Sequence, residues 1–301
     1  TSDTVLSAEN VTGKIVICEA GVTPSTTKAK MVEKAGGFGM IVVTSEVFGP
    51  VIIPRPHVVP TVQVPYKVGQ KLKTYVQSEK EATANFILKG TSFDTPRSPM
   101  MAPFSARGPN LQSRGILKPD IIGPGVNILA GVPGIADLVL PPKAEMPKFD
   151  VKSGTSMSCP HASGVAALLK AVHPEWSPAA VRSAMMTTAS AADNTLAPIK
   201  DRADGIEYAA SPLAMGSGHM DPNRSLDPGL VYDIAPVDYI GYLCRMYTTQ
   251  QVSVIARRPI DCLTTVMISD RLLNYPSISV AFPESWNSTA PVVVRRKVKN
   301  V

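Results

Sequence analysis

The chain has 301 residues, of which 44% are hydrophobic and 18% are charged. This composition excludes a disordered chain and gives enough length for two domains with a large core. No apolar run approaches the roughly 18 residues that cross a bilayer. The net charge of +6 is mild, and its densest cluster, at 295–299, alternates with valine and lacks aromatic residues. We therefore expect a solvated strand face there, and neither nucleic acid nor membrane as a partner.

Residues 1–90 predict a compact α/β unit. The pattern of apolar residues and glycines predicts strands at 13–18, 40–43 and 84–88, and helices at 27–35 and 69–78. Between them, residues 49–65 contain five prolines. Proline removes a backbone donor and excludes a helix, so this segment is predicted to be an extended loop.

The middle of the chain alternates between short apolar runs and helices. The runs at 121–122 and 126–130 are predicted to be central strands. A helix at 161–172 is apolar on nearly every side, which is typical of a helix buried in a core. Ser177 and Pro178 supply an N-cap and a first helical residue, and predict a second helix at 179–189. This alternation indicates an α/β domain.

The last third changes from helix to strand. Turn-rich residues 212–233 lead into two short predicted helices, at 238–247 and 250–256. From 272 onwards the pattern favours β-structure, with predicted strands at 278–282 and 292–298. These strands would begin a β-sandwich.

Four cysteines occur, at Cys18, Cys159, Cys244 and Cys262, without a CxxC pair, and we predict no structural metal site. Cys244 and Cys262 flank the last helices, so a disulfide is predicted between them. Cys159 is predicted to be buried as a small apolar residue rather than exposed as a reactive thiol.

Glycosylation sequons occur at Asn10, Asn223 and Asn287. Any single sequon is often accidental, but three of them together with a disulfide favour a secreted protein.

The most informative segment is residues 153–161, which read SGTSMSCPH. They place Ser156 where a polar turn enters the apolar helix. Unpaired N–H groups and the positive end of the helix dipole at such a position favour a nucleophile and a developing oxyanion. The nucleophile elbow of α/β-hydrolases requires glycine where this chain has Ser158, and a Ser-x-x-Lys pair is excluded by Cys159.

Residues 153–169 resemble the nucleophile motif of the subtilisin-like serine proteases, or subtilases. Further blocks resemble the plant branch of that family, in the same order along the chain. These blocks are FSARGP at 104–109, KPDIIGPGVNILA at 118–130, WSP at 176–178, GSGH at 216–219, DPGLVYD at 227–233 and LNYPS at 273–277. One departure is Gly123, where the family usually carries alanine.

The resemblance implies an α/β fold in three parts. Residues 1–90 would be an inserted protease-associated domain, and residues 91–271 the C-terminal part of a parallel-sheet peptidase domain. Residues 272–301 would begin a fibronectin type III-like domain. A homodimer through the protease-associated domain is one hypothesis that the resemblance leaves open.

The resemblance also implies that Ser156 is the nucleophile of a serine endopeptidase, with its own N–H as one oxyanion donor and without a cofactor. In the family, the catalytic Asp and His and the oxyanion Asn precede the protease-associated domain. This chain is expected to begin inside that domain. No histidine stands in a His-Gly-Thr-His setting, and structural or surface roles are predicted for His57, His161, His173 and His219.

Two functions follow from these observations. The first is a secreted endopeptidase of the plant apoplast or cell wall, which acts on peptides or proteins with a base from outside this chain. The alternative is a non-catalytic truncated fragment or interaction module.

Overall fold

The computed structural model describes residues 6–49, 51–90, 92–93, 96–134, 147–203, 206–282, 284–286 and 291–301. The first unit contains α1 (Ala8–Val11), β1 (Ile15–Glu19), α2 (Ser25–Lys34), β2 (Gly39–Val43), a 3₁₀ turn (Glu46–Phe48), β3 (Thr61–Val64) and α3 (Tyr66–Ser78). The three strands form a parallel sheet in the order β1-β2-β3, with Ile15 opposite Gly39 and Met40 opposite Thr61.

The core of this unit lies beneath β2, whose five residues are all buried. Met40 and Val42 pack against Ala29 and Val32 of α2 and against Val59. A central strand that is covered on both faces explains the continuous apolar run at 39–43.

Two predictions for this unit are wrong. The loop at 49–65 contains β3, because the β-branched run after Pro60 pairs with β2. Residues 84–88 form no strand. Instead, the Phe86 ring stacks on Phe38 with 6.4 Å between ring centroids. β2 is already paired with β1 on one side and with β3 on the other. Residues 84–88 therefore contribute the packing of Phe86 rather than another strand.

The rest of the chain holds short strands and six helices, within the residues described. These are β4 (Ile128–Gly131), β5 (Phe149–Lys152), α4 (Thr155–Val172), α5 (Pro178–Thr187), β6 (Lys200–Ala203), β7 (Ile206–Ala209), α6 (Pro212–Met215), α7 (Pro222–Ser225), β8 (Leu230–Val231), α8 (Pro236–Cys244), α9 (Thr249–Ala256) and β9 (Lys299–Asn300).

Strand pairing in this part differs from the predicted parallel sheet. β4 pairs with β5, β6 with β7, and β8 with β9, each antiparallel. Ile122 makes only an isolated parallel bridge, to His219. A parallel sheet needs an adjacent strand that runs in the same direction. Apart from His219, no described residue pairs with Ile122 in a β-bridge.

The helix α5 begins as predicted. Ser177 is its N-cap, and the Ser177 hydroxyl accepts a hydrogen bond from the Ala180 N–H at 3.0 Å. Seven residues of α5 are buried, so α5 is the central helix of this part.

The helix α4 is less buried than predicted. Only Val165 and Leu169 are buried, whereas Leu168 is 62% exposed and Val172 is 58% exposed. α4 packs against α5 and Trp176 through one face. No described element covers the opposite side of the helix, where apolar Leu168 and Val172 are exposed together with polar residues such as Ser163 and Lys170.

The predicted strands at 278–282 and 292–298 are also absent. Arg296 donates hydrogen bonds to the carbonyls of Tyr275 and Ser277, each at 2.8 Å. The side-chain NH₂ group of Asn274 donates to the Lys297 carbonyl, and the side-chain oxygen of Asn274 accepts from the Lys297 N–H. Hydrogen bonds from side chains to the backbone therefore hold residues 274–277 against residues 296–297. Among the described residues after 272, only β9 pairs with another strand.

The predicted disulfide is confirmed. Cys244 at the end of α8 is bonded to Cys262, with 5.3 Å between their Cα atoms. Both cysteines are buried in a cluster with Ile240 and Val252. The bond joins α8 to the segment after α9.

Candidate active site

Ser156 is the second residue of α4 and is exposed. Its hydroxyl makes no hydrogen bond with any described residue. Gly154 is the N-cap of α4 and provides no side-chain cap. The Met157 N–H donates to the Gly154 carbonyl at 3.0 Å, whereas the N–H groups of Thr155 and Ser156 remain able to bind an anion beside the hydroxyl.

The turn that carries Ser156 is fixed to the loop at 123–127. The Ser158 hydroxyl donates to the Gly123 carbonyl at 2.9 Å, and the Gly154 N–H donates to the Gly125 carbonyl at 2.8 Å. A Cβ atom on Gly125 would lie 2.4 Å from the Ser158 hydroxyl oxygen. Glycine at 125 thus allows the close approach that orients the serine turn.

The four histidines of the chain are all engaged away from Ser156. His57 shares a hydrogen bond with Ser25 at 3.0 Å. The other three donate to backbone carbonyls: His161 to Met157, His173 to Leu226 and His219 to Met220. None of these contacts supplies the general base that a serine nucleophile needs.

Two aspartates that precede the serine turn, Asp120 and Asp150, are also engaged elsewhere. Asp120 accepts hydrogen bonds from Lys118 and from the Tyr275 hydroxyl. Asp150 is paired with Lys152, and this hydrogen bond holds the pKa of Asp150 below its usual range. No third member of a triad is therefore assembled around Ser156 by the described residues.

The model of the subtilase family matches residues 12–218 of this chain. The chain belongs to the subtilase family. It is 44% identical to the subtilisin-like protease SBT1.3 of Arabidopsis thaliana over 99% of this chain and 38% of the relative. It is 42% identical to SBT1.6 of the same plant, over 99% of this chain and 39% of the relative. The chain therefore spans about two fifths of the length of these curated relatives.

The subtilase chain has an open depression of about 840 Å³ beside the serine turn. Its walls include Thr155, Cys159, His219 and the loop at 123–126. Sequence reasoning predicted neither the depression nor the position of His219 in its wall, because they depend on how residues about 60 positions apart pack together.

Cys159 is a free, exposed thiol in this subtilase, so the prediction that it is buried is wrong. It lies one turn after Ser156 and lines the same surface as Pro160 and Ser163. That surface is on the face of α4 that no described element covers.

No described group of His, Cys, Asp and Glu side chains in this subtilase is arranged to hold a metal ion. Among the described helices, none is both long enough and apolar enough to span a bilayer.

Burial lowers the pKa of His219 in this subtilase below its usual value. The unfolded chain binds a proton on this histidine near pH 6.5, whereas the folded chain resists it. The free energy of unfolding should therefore fall as the pH drops from 7 to 5. His219→Asn should reduce that fall, measured by urea unfolding at both pH values.

Burial also lowers the pKa of His57. His57 is present in both the parent and the His219→Asn variant, so the difference between their two pH dependences isolates His219. Identical dependences would contradict the assignment.

Proposed function

We propose that this chain is the nucleophile-bearing part of a plant-type serine endopeptidase that hydrolyses peptide bonds in peptides or proteins. Ser156 attacks the scissile carbonyl and gives its proton to a base, which passes it to the leaving amine as the C–N bond breaks, and water then hydrolyses the acyl-enzyme. The Ser156 N–H donates to the oxyanion. The observation that carries this proposal is an exposed serine hydroxyl, without a partner, in the uncapped first turn of α4.

The base and its aspartate come from residues outside this chain in our proposal. Two observations support this: all four histidines are engaged elsewhere, and the chain spans 38% of the SBT1.3 relative. The open depression of about 840 Å³ beside the serine turn is where such residues would pack. The oxyanion Asn would come from the same portion.

Two flanking domains belong to the same proposal. Residues 1–90 form a protease-associated domain, which the parallel α/β unit of β1–β3 supports. Residues 272–301 begin a fibronectin-like domain, although the described residues there form only β9. A homodimer through residues 1–90 would be detected by sedimentation of the chain with and without that domain.

We further propose that the protein is secreted to the plant apoplast or cell wall. The Cys244–Cys262 disulfide supports an oxidising compartment. Asn10 and Asn223 are exposed and accessible to glycosylation. The third sequon, at Asn287, lies outside the described residues.

The alternative function is a non-catalytic fragment or interaction module. The engagement of every histidine away from Ser156 favours it for the chain alone. The two functions make opposite predictions for the longer protein.

A fluorophosphonate probe, which labels activated serines, distinguishes the two functions. We expect the isolated chain to remain unlabelled, and a longer protein that includes the preceding portion of the same gene to be labelled at Ser156. Ser156→Ala is the control in both proteins. Absence of labelling in the longer protein would favour the non-catalytic alternative, and labelling of the isolated chain would place the base within it.

A further inference from the structure

A cavity of about 160 Å³ lies at the carboxyl ends of β1, β2 and β3, far along the chain from Ser156. The loop after β1, the start of α2 and residues within 44–48 and 51–55 form its walls. In open sheets of parallel strands, ligands bind in the crevice beyond the carboxyl ends of the strands. Such crevices form where the strand order reverses, and the order β1-β2-β3 has no reversal. The case for a ligand therefore rests on the residues that line the cavity.

One wall contains a buried hydroxyl without a partner. Thr44 follows β2, lines the cavity and is 8% exposed. Its side-chain oxygen has no hydrogen-bond partner in the described part of the chain. Folded proteins rarely leave such a group unsatisfied, because it has lost its hydrogen bonds to water. The hydroxyl thus indicates a polar partner that binds from the cavity.

The charges around the cavity favour an anion. Lys28 and Arg55 both line it. The Glu19 carboxylate is paired with Lys73, while the Lys28 ammonium donates only to the backbone carbonyl of Glu19. Arg55 forms no ion pair with a described residue. Neither cation forms an ion pair with a described carboxylate, but each acts on one. The pKa of Glu19 is lowered by Lys73 and, to a lesser extent, by Lys28. The pKa of Asp150 is lowered by Lys152 and, to a lesser extent, by Arg55.

The start of α2 adds to this positive potential. α2 begins at Ser25, and its N-cap, Pro24, provides no side-chain hydrogen bond. Both residues line the cavity. The free N–H groups and the dipole at the start of a helix attract a negatively charged group.

The remaining walls are apolar and limit the kind of anion. Val42, Phe48, Val51 and Ile53 line the cavity. A phosphate would have to exchange most of its water for apolar surface, which is costly. A carboxylate on a short aliphatic group satisfies both the cationic and the apolar walls.

We propose that this cavity binds a carboxylate joined to a short aliphatic group, supplied either by a small organic acid or by the C-terminal residue of a peptide. The carboxylate lies between Lys28, Arg55 and the start of α2, and the aliphatic group packs on the apolar wall. Thr44 donates to the ligand. The site is independent of Ser156 and of the proposed peptidase activity.

Calorimetric titration of the 301-residue chain tests the site. The probes are isovalerate and the peptide acetyl-Ala-Val, each compared with its neutral amide, isovaleramide or acetyl-Ala-Val-amide. We expect the Kd of an acid that binds to be at least about tenfold lower than the Kd of its amide. The neutral amide cannot form the charge-assisted hydrogen bonds that a carboxylate forms with Lys28 and Arg55. Tighter binding of isovalerate identifies an organic acid as the ligand, and tighter binding of the peptide identifies a C-terminus.

Three variants locate the binding site. Arg55→Gln should weaken binding of the acid about tenfold. Thr44→Val keeps the side-chain shape and should weaken it about fivefold while leaving the chain at least as stable, because it removes an unpaired hydroxyl. Lys34→Gln, at the other end of α2, is the matched control and should have no effect.

Three results would overturn the proposal. They are no binding of either acid at 50 mM (roughly the weakest affinity that the method detects), equal binding of acid and amide, and unchanged binding in both Arg55→Gln and Thr44→Val. Arg55 is exposed, so its replacement should not prevent folding. If Thr44→Val failed to fold, Arg55→Gln would therefore still test the proposal.

Discussion

Under the proposed function, Ser156→Ala should lower kcat for peptide hydrolysis by about 10⁶ in a longer protein that supplies the missing base. That magnitude is the one known for the catalytic serine of subtilisin, a member of the same family. The expectation rests on the position of Ser156 at the uncapped start of α4. Removal of the nucleophile leaves only binding and oxyanion stabilisation to accelerate the reaction.

The same substitution should hardly change stability. The Ser156 side chain is exposed and makes no described hydrogen bond, so the free energy of unfolding should change by less than about 0.5 kcal/mol. Ser163→Ala is the matched control on the same surface of α4, and it should keep nearly full activity. Substantial hydrolysis by Ser156→Ala would remove Ser156 from the mechanism.

Leu169→Ala should destabilise the chain by roughly 3 kcal/mol. Leu169 is 1% exposed and packs in the cluster that joins α4 to α5 and Trp176. Truncation to alanine removes apolar contacts and leaves a cavity that the surrounding helices fill only in part. Urea unfolding of the chain measures the change in the free energy of unfolding.

The adjacent leucine provides the control. Leu168 has the same side chain on the same helix but is 62% exposed. Leu168→Ala should therefore change the free energy of unfolding by less than about 0.5 kcal/mol. Similar losses in the two variants would mean that the outer face of α4 is covered in solution, contrary to the structure.

Much of the candidate site could be predicted from the sequence, because its signals are local. A polar turn followed by an apolar run predicted Ser156 at the start of a helix, and α4 begins at Thr155. Ser177 and Pro178 predicted the start of α5 through capping chemistry that involves only neighbouring residues. The depression beside the serine turn could not be predicted, because Cys159 and His219 meet there only after folding.

The family itself followed from the sequence, since motifs along one chain identify it without reference to packing. The tertiary structure alone decided which apolar residues are buried and which extended segments pair. Leu168 and Leu169 are identical in sequence terms, and only the position of α5 buries one and exposes the other. β3 pairs with β2 while 84–88 does not, because a strand forms only where a neighbour offers its hydrogen bonds.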